Sequence, residues 1–182
     1  VVAKVFKDWV FEAPTEPNGV MPVNLGWCGG FMKFEIIGGP YDAFRRGDNA
    51  DFGVCVRAES CPEDLDVLLP IRDFQVPLPE QKSDVEYVLR RAFRAALDGK
   101  RVWVGCQGGW GRTGLFLALM AKVAGYEDPV GYVRRVYAKR ACETNEQCRY
   151  VYDFDAYALR SWLYDVAWYR RVWNTLFWWM PA

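Results

Sequence analysis

The chain has 182 residues, balances 23 Lys and Arg against 23 Asp and Glu, and is 52% hydrophobic with nine tryptophans. That length and composition fit one globular domain with a sizeable core, and zero net charge gives no electrostatic case for nucleic acid or an anionic membrane surface. Histidine is absent, which removes Ser-His-Asp triads, Cys-His dyads, His metal sites and His general bases together.

Residues 1 to about 80 read as short strands and loops. Val1 to Val10, Val20 to Leu25, Phe31 to Ile37 and Phe52 to Arg57 are β-leaning runs broken by Pro, Gly and Asn. Gly38 to Asp42 reads as a turn and Arg45 to Asp51 as a polar loop. Leu68 to Pro79 is an extended, proline-punctuated loop that carries Asp73. Ser83-Asp84-Val85-Glu86 has the form of a capping box, and Val85, Val88, Leu89, Phe93, Ala96 and Leu97 make one helical stripe that ends at Gly99.

Arg101 to Val104 then favours a strand, and Gly105-Cys106-Gln107-Gly108-Gly109-Trp110-Gly111-Arg112-Thr113-Gly114 leads into the apolar run Leu115 to Ala124. Strand, glycine-rich turn and helix together aim backbone N–H groups at an anion, and Arg112 adds a planar fork for two oxygens. Amides, a helix N-terminus and an arginine are also the surroundings that favour a reactive thiolate over a thiol. The succession of loop, helix, strand, loop and helix is that of an α/β crossover.

Gly125 stops the apolar helix, and Asp128-Pro129 starts another that runs to about Ala138. Arg134 and Arg135 are expected to point outward from it and to form, with Lys139 and Arg140, a solvated basic face. Thr144 and Gln147 make a second capping box, predicting a helix from Asn145 to about Leu163. The tail from Ser161 holds Trp162, Trp168, Trp173, Trp178 and Trp179 among charges, too many for a bilayer span, and is expected to pack over the core. The domain reading is thus 1–163 for an α/β unit and 164–182 for an aromatic-rich helical extension packed on it.

The six cysteines show no zinc spacing; their even number allows disulfides, but a reactive thiol suits a reducing compartment better, and a cytoplasmic location is expected. A second thiol near Cys106 would be able to protect it by a reversible disulfide. No signal peptide or uncharged span appears, and the opening on Val1 in place of Met suggests a trimmed or processed N-terminus.

Cys106-x5-Arg112-Thr113 resembles the signature loop of the cysteine-dependent protein tyrosine phosphatase superfamily, and Cys-x-Gly-Gly-x-Gly-Arg-Thr-Gly is similar to its dual-specificity-like and small bacterial or phage members. One departure is Gly105, where the family usually has His. Leu68 to Pro79 resembles the family's acid loop, with Asp73 lying 33 residues before Cys106, although Arg72 and Gln75 replace the usual proline and glycine. Glu143-Thr144-Asn145-Glu146-Gln147 resembles its glutamine loop, with Gln147 at the second glutamine and Glu143 at the first. The resemblance implies a single α/β domain with a mixed central sheet flanked by helices. It implies phosphate binding by Gln107, Gly108, Gly109, Trp110, Gly111 and Arg112, with Cys106 as nucleophile and Asp73 as acid. Thr113 would steady the sulfur, and Gln147 and Glu143 would hold water, although helix capping alone also accounts for Gln147.

Neither metal nor cofactor is implied. The partner is a phosphorylated protein or peptide, with phosphate, sulfate or vanadate at the loop. Tyr41, Phe74 and Trp110 are candidate pocket walls. The alternatives are a phosphate-reading module without turnover, or a related enzyme acting on inositol phosphates or RNA 5′-phosphates.

Overall fold

A computed structural model of the protein describes residues 19–27 and 30–176. The expected strand at Val1 to Val10, Cys28 and the tail from Phe177 onward lie outside the described residues. Strands β1 (Gly19–Trp27), β2 (Gly30–Pro40), β3 (Phe52–Cys55), β4 (Val67–Leu68) and β5 (Val102–Cys106) form one sheet. Its order is β1-β2-β5-β3-β4, with β1 antiparallel to β2 and every other pair parallel. This is the expected α/β architecture with a mixed sheet.

The arrangement decides where a site can form. Strand β5 lies between β2 and β3, and all four parallel strands finish at the same edge. The chain therefore leaves β2 at Tyr41, β3 at Val56, β4 at Leu69 and β5 at Gln107 over one region, the usual place for a ligand in an α/β sheet.

Five helices follow the sequence signals with some shifts: α1 (Lys82–Leu97), α2 (Gly111–Val123), α3 (Pro129–Val136), α4 (Asn145–Asp153) and α5 (Tyr157–Leu176). Helices α1 and α2 share one core with the β5 face that carries Val102, Val104 and Cys106. Every residue of α2 from Gly111 to Ala121 is buried, which explains its apolar composition. Each of its large side chains contributes about 1.5–3 kcal/mol on burial. Gly114 lets α2 approach the 141–142 backbone: a Cβ there would lie 2.7 Å from Ala141 Cα. On the other sheet face Trp103 packs with Phe44 and Ala50 in a smaller cluster.

Several local expectations are corrected. The Gly38-Gly39-Pro40 turn is instead the end of β2, because these residues pair in parallel with Val104, Gly105 and Cys106 of β5, and a Cβ on Gly38 would lie 2.6 Å from the Tyr137 ring. Ser83 does not cap α1, which instead begins behind a 3-10 turn at Pro79–Gln81, where Gln81 Oε1 accepts from Leu78 N at 2.8 Å. The single helix expected from Asn145 to Leu163 is two, since buried Phe154 is extended and Asp155 accepts from Tyr157 N to start α5. Helix α5 then runs straight through position 163. Arg134 is exposed as expected, yet its guanidinium is engaged, donating to Ala141 O and Cys142 O, each at 2.9 Å. The tail indoles are only partly hidden: Leu163 and Ala167 are buried, whereas Trp168 and Trp173 are 50% and 63% exposed. No described helix is long and apolar enough to cross a membrane.

Candidate active site

Cys106 ends β5 at 3% exposure, and α2 begins five residues later at Gly111. Between them Gly109 takes φ +77°, a left-handed conformation costly for any side chain. Tyr137 braces this bend from below, its hydroxyl donating to Gly109 O at 2.6 Å. Burial, with Cys106 nearby as a second cause, pushes that hydroxyl well above its ordinary range and keeps it a donor. The first amides of α2 have no partner within the helix, so the turn presents N–H groups at its N-terminus.

Arg112 is 2% exposed and fixed from several sides. Its Nη1 donates to Glu59 Oε2 at 2.8 Å and to Ile71 O at 3.0 Å, while Nη2 lies 3.1 Å from Asp73 Oδ1. Its Nε is buried with no acceptor, and Thr113 Oγ1 is in the same condition. Unpaired buried donors are uncommon in folded proteins, because each forfeits the hydrogen bonds that it made to water.

Glu59 also receives Arg57 Nε at 3.1 Å, and its own main-chain N–H, then Arg112 and Arg57, hold its carboxyl down at about 2. Arg57 is 6% exposed and stacks its guanidinium 4.2 Å from the centre of the Tyr41 ring. Arg57, Glu59 and Tyr137 escaped the sequence reading. The available signal was a charged pair, Arg57-x-Glu59, directly after the apolar strand β3.

The turn that carries Arg57 and Glu59 is closed by a disulfide between Cys55 and Cys61, whose Cα atoms are 6.5 Å apart. The disulfide that an even number of cysteines left open thus forms between these two. The end of β3 and the return of the chain bring two thiols into bridging range that sequence spacing did not announce. Cys106, Cys142 and Cys148 are free.

The acid-loop segment and the glutamine-loop segment meet over Gly111. Phe74, at φ +57°, directs its carbonyl to Thr144 Oγ1 at 3.5 Å, and Gln75 O accepts from Gln147 Nε2 at 3.2 Å. Gln147 is fully buried and completes the expected capping box, its N–H donating to Thr144 Oγ1 at 3.1 Å. A Cβ on Gly111 would lie 2.8 Å from Glu143 Oε2 and 3.2 Å from Gln147 Oε1, so both side chains rest against the Cys106 loop. Arg140 pairs with Glu143 Oε1 at 3.0 Å and covers the Trp110 ring at 5.4 Å. Asp73, Arg112, Glu143 and Gln147 thus converge on the loop from Cys106 to Gly111. Of the candidate walls, Tyr41 is engaged by Arg57, Phe74 is 59% exposed and Trp110 lies under Arg140.

Gly105 also has a structural explanation. A Cβ there would sit 3.0 Å from Trp103 Nε1 and from Tyr41 Cα, and 3.2 Å from Gly39 O. The Trp103 indole and the end of β2 already occupy the space that a side chain would need.

The sheet order, the buried arginine and the Cys-x5-Arg turn between central strand and helix define a phosphatase-type α/β domain, with the fold of the protein tyrosine phosphatases. Solved structures share that fold. Kinase associated phosphatase (KAP) superimposes with a TM-score of 0.52 at 15% identity, over 78% of this chain and 96% of its own. PTPMT1 does so with a TM-score of 0.51 at 13% identity, over 72% of this chain and 93% of its own. In sequence, the uncharacterized protein MJECL20 of Methanocaldococcus jannaschii is 37% identical over 86 residues, 47% of this chain. Those residues are 56% of that protein, so the chain spans about half the length of the curated relative it matches. No family model matches the chain.

Proposed function

We propose that this protein is a phosphomonoester hydrolase that acts on phosphoprotein, with phosphotyrosine as substrate and phosphoserine or phosphothreonine as further ones, through a cysteinyl-phosphate. The observation that carries the reading is Arg112, buried behind the Cys106 loop with an unpaired Nε, at the N-terminus of a helix. A buried cation with a free donor beside converging amides fits an incoming phosphoryl dianion and the charge that spreads over its oxygens in the transition state.

In the first step the Cys106 thiolate attacks phosphorus in line, the P–O bond to the leaving group breaks, and Asp73 delivers its proton to the leaving oxygen. Asp73 reaches the site through the same arginine, 3.1 Å from Nη2, on a side chain open enough to meet a leaving group. In the second step water attacks phosphorus, Asp73 accepts its proton, and the sulfur departs as thiolate. Thr113 Oγ1, buried without a partner, supplies a donor for that sulfur, and Gln147 and Glu143 against Gly111 supply the groups that orient the water.

The test is hydrolysis of p-nitrophenyl phosphate and of a phosphopeptide panel by wild type and Cys106→Ser. Turnover by wild type alone, with vanadate still bound by both, is the expected result. Turnover retained by Cys106→Ser would overturn the mechanism, and phosphopeptide binding without turnover by wild type would favour a phosphate-reading module.

A further inference from the structure

The proposed chemistry uses one thiol, yet a second cluster of sulfur and guanidinium brackets the glutamine-loop segment in sequence. Cys142 precedes Glu143, and Cys148 sits in the first turns of α4, four residues after the Thr144 cap. Cys148 Sγ lies 3.5 Å from the main-chain oxygen of Cys142. Arg134 reaches over from α3, with Nη2 3.4 Å from Cys148 Sγ and 2.9 Å from Cys142 O. Cys142 holds φ +56°, a conformation that a non-glycine residue adopts at a cost, and its carbonyl is the group that meets Cys148 Sγ and Arg134. Cys142 is fully buried, whereas Cys148 is half-buried and open to a small reagent. A reactive partner at the surface and a buried partner behind it are the two parts of a thiol-based redox site.

We propose that Cys148 is a peroxide-reactive thiol, separate from Cys106, and that Cys142 resolves its oxidised form into a Cys142–Cys148 disulfide. The Cys148 thiolate attacks one oxygen of hydrogen peroxide or a related hydroperoxide, the O–O bond breaks, and hydroxide leaves to be protonated as water. Sulfur is oxidised by two electrons to sulfenic acid and the peroxide is reduced by the same two. The Cys142 sulfur then attacks the sulfenyl sulfur, the S–O bond breaks, and the departing hydroxide takes the Cys142 proton as a second water. A low-molecular-weight thiol reverses the bridge by exchange.

The surroundings favour this division of labour. The Cys142 hydrogen bond first, and then Arg134, bring the Cys148 thiol down to about 6, while the same hydrogen bond and burial push Cys142 up. Tyr152 also senses Cys148; burial first, and then the hydrogen bond of its hydroxyl to Asp128 at 2.8 Å, hold it up at about 12. It therefore stays neutral over the relevant range. At mildly acidic to neutral pH a larger share of Cys148 is therefore thiolate than of an ordinary thiol.

The experiment uses the full chain as Cys106→Ser, so that the proposed nucleophile cannot compete. Stoichiometric hydrogen peroxide followed by peptide mapping should give the Cys142–Cys148 bridge, reversible by thiol. Iodoacetamide labelling of Cys148 in untreated protein should follow a midpoint near 6 and move up in Arg134→Gln. In Cys142→Ser the sulfenic acid should persist and be trapped by dimedone at Cys148. If Cys142→Ser does not fold, the labelling profile and the map of the parent protein decide alone. Both cysteines recovered as thiols, or a labelling midpoint near the ordinary thiol value, would overturn the proposal. So would a bridge from Cys148 to any other cysteine.

Discussion

Replacing Glu59 tests how the buried arginine is held. Glu59→Ala removes the acceptor 2.8 Å from Arg112 Nη1 and leaves Ile71 O at 3.0 Å and Asp73 at 3.1 Å as its remaining partners. A hydrogen bond to a charged group is worth about 1.5–3 kcal/mol when its loss strands a buried partner. Because the Glu59 side chain is 44% exposed, water replaces part of that, and a loss of about 1–2 kcal/mol is expected, or roughly 5- to 30-fold. The loss should appear in vanadate affinity and in kcat/KM for p-nitrophenyl phosphate, because an arginine free to tilt no longer presents its fork to the anion. Glu59→Gln keeps an acceptor and should lose less. The assays are steady-state kinetics, vanadate inhibition and urea unfolding on the same preparations. A folded Glu59→Ala protein within twofold of wild type in both kcat/KM and vanadate affinity would refute the idea that Glu59 positions Arg112.

Three further outcomes are expected. Asp73→Asn should lower turnover roughly 10²–10⁴-fold, as loss of a general acid does. Vanadate should bind that variant at least as tightly as wild type, because Arg112 Nη2 is released from its ion pair. Gly105→His should not restore a family feature but destabilise the protein by about 1–3 kcal/mol through overpacking, read as a lowered Tm, since the nearest atoms already stand 3.0 Å from a Cβ. Glu59 also sets a pH window. Its carboxyl is at about 2 in the folded protein against an ordinary 4.5, so its contribution is complete above about pH 4.5 and is lost as pH falls towards 2. The difference in unfolding free energy between wild type and Glu59→Gln should be flat from neutral pH to about 5 and shrink below that.

Much of this protein was legible in its local sequence because the signals are themselves local. The apolar run of α2, the Asp128-Pro129 start of α3 and the Thr144–Gln147 box each act within a few residues, and each element formed where its signal stood. The Cys106 turn was legible for the same reason, since its glycines and arginine serve one continuous strand–loop–helix unit. Signals of equal form failed where a distant group intervened. Gly38 and Gly39 look like a turn until β5 pairs with them, and Ser83 looks like a cap until Gln81 takes the preceding turn.

The chemistry proposed for Cys106 and Arg112 rests on residue type and spacing within one segment, because a Cys-x5-Arg turn carries its own amides and its own cation. The support for that arginine was decided by tertiary structure. Glu59 lies 53 residues from Arg112 in the chain, and nothing local relates the two. They meet because β3 and β5 are adjacent parallel strands that end at one sheet edge, so the turn after β3 must pass beside the helix after β5. The same crossing explains why Cys55 and Cys61 bridge there, and why Gly105 has no room for a side chain between Trp103 and Tyr41. Spacing encodes what one segment does, whereas strand order decides which segments share a surface.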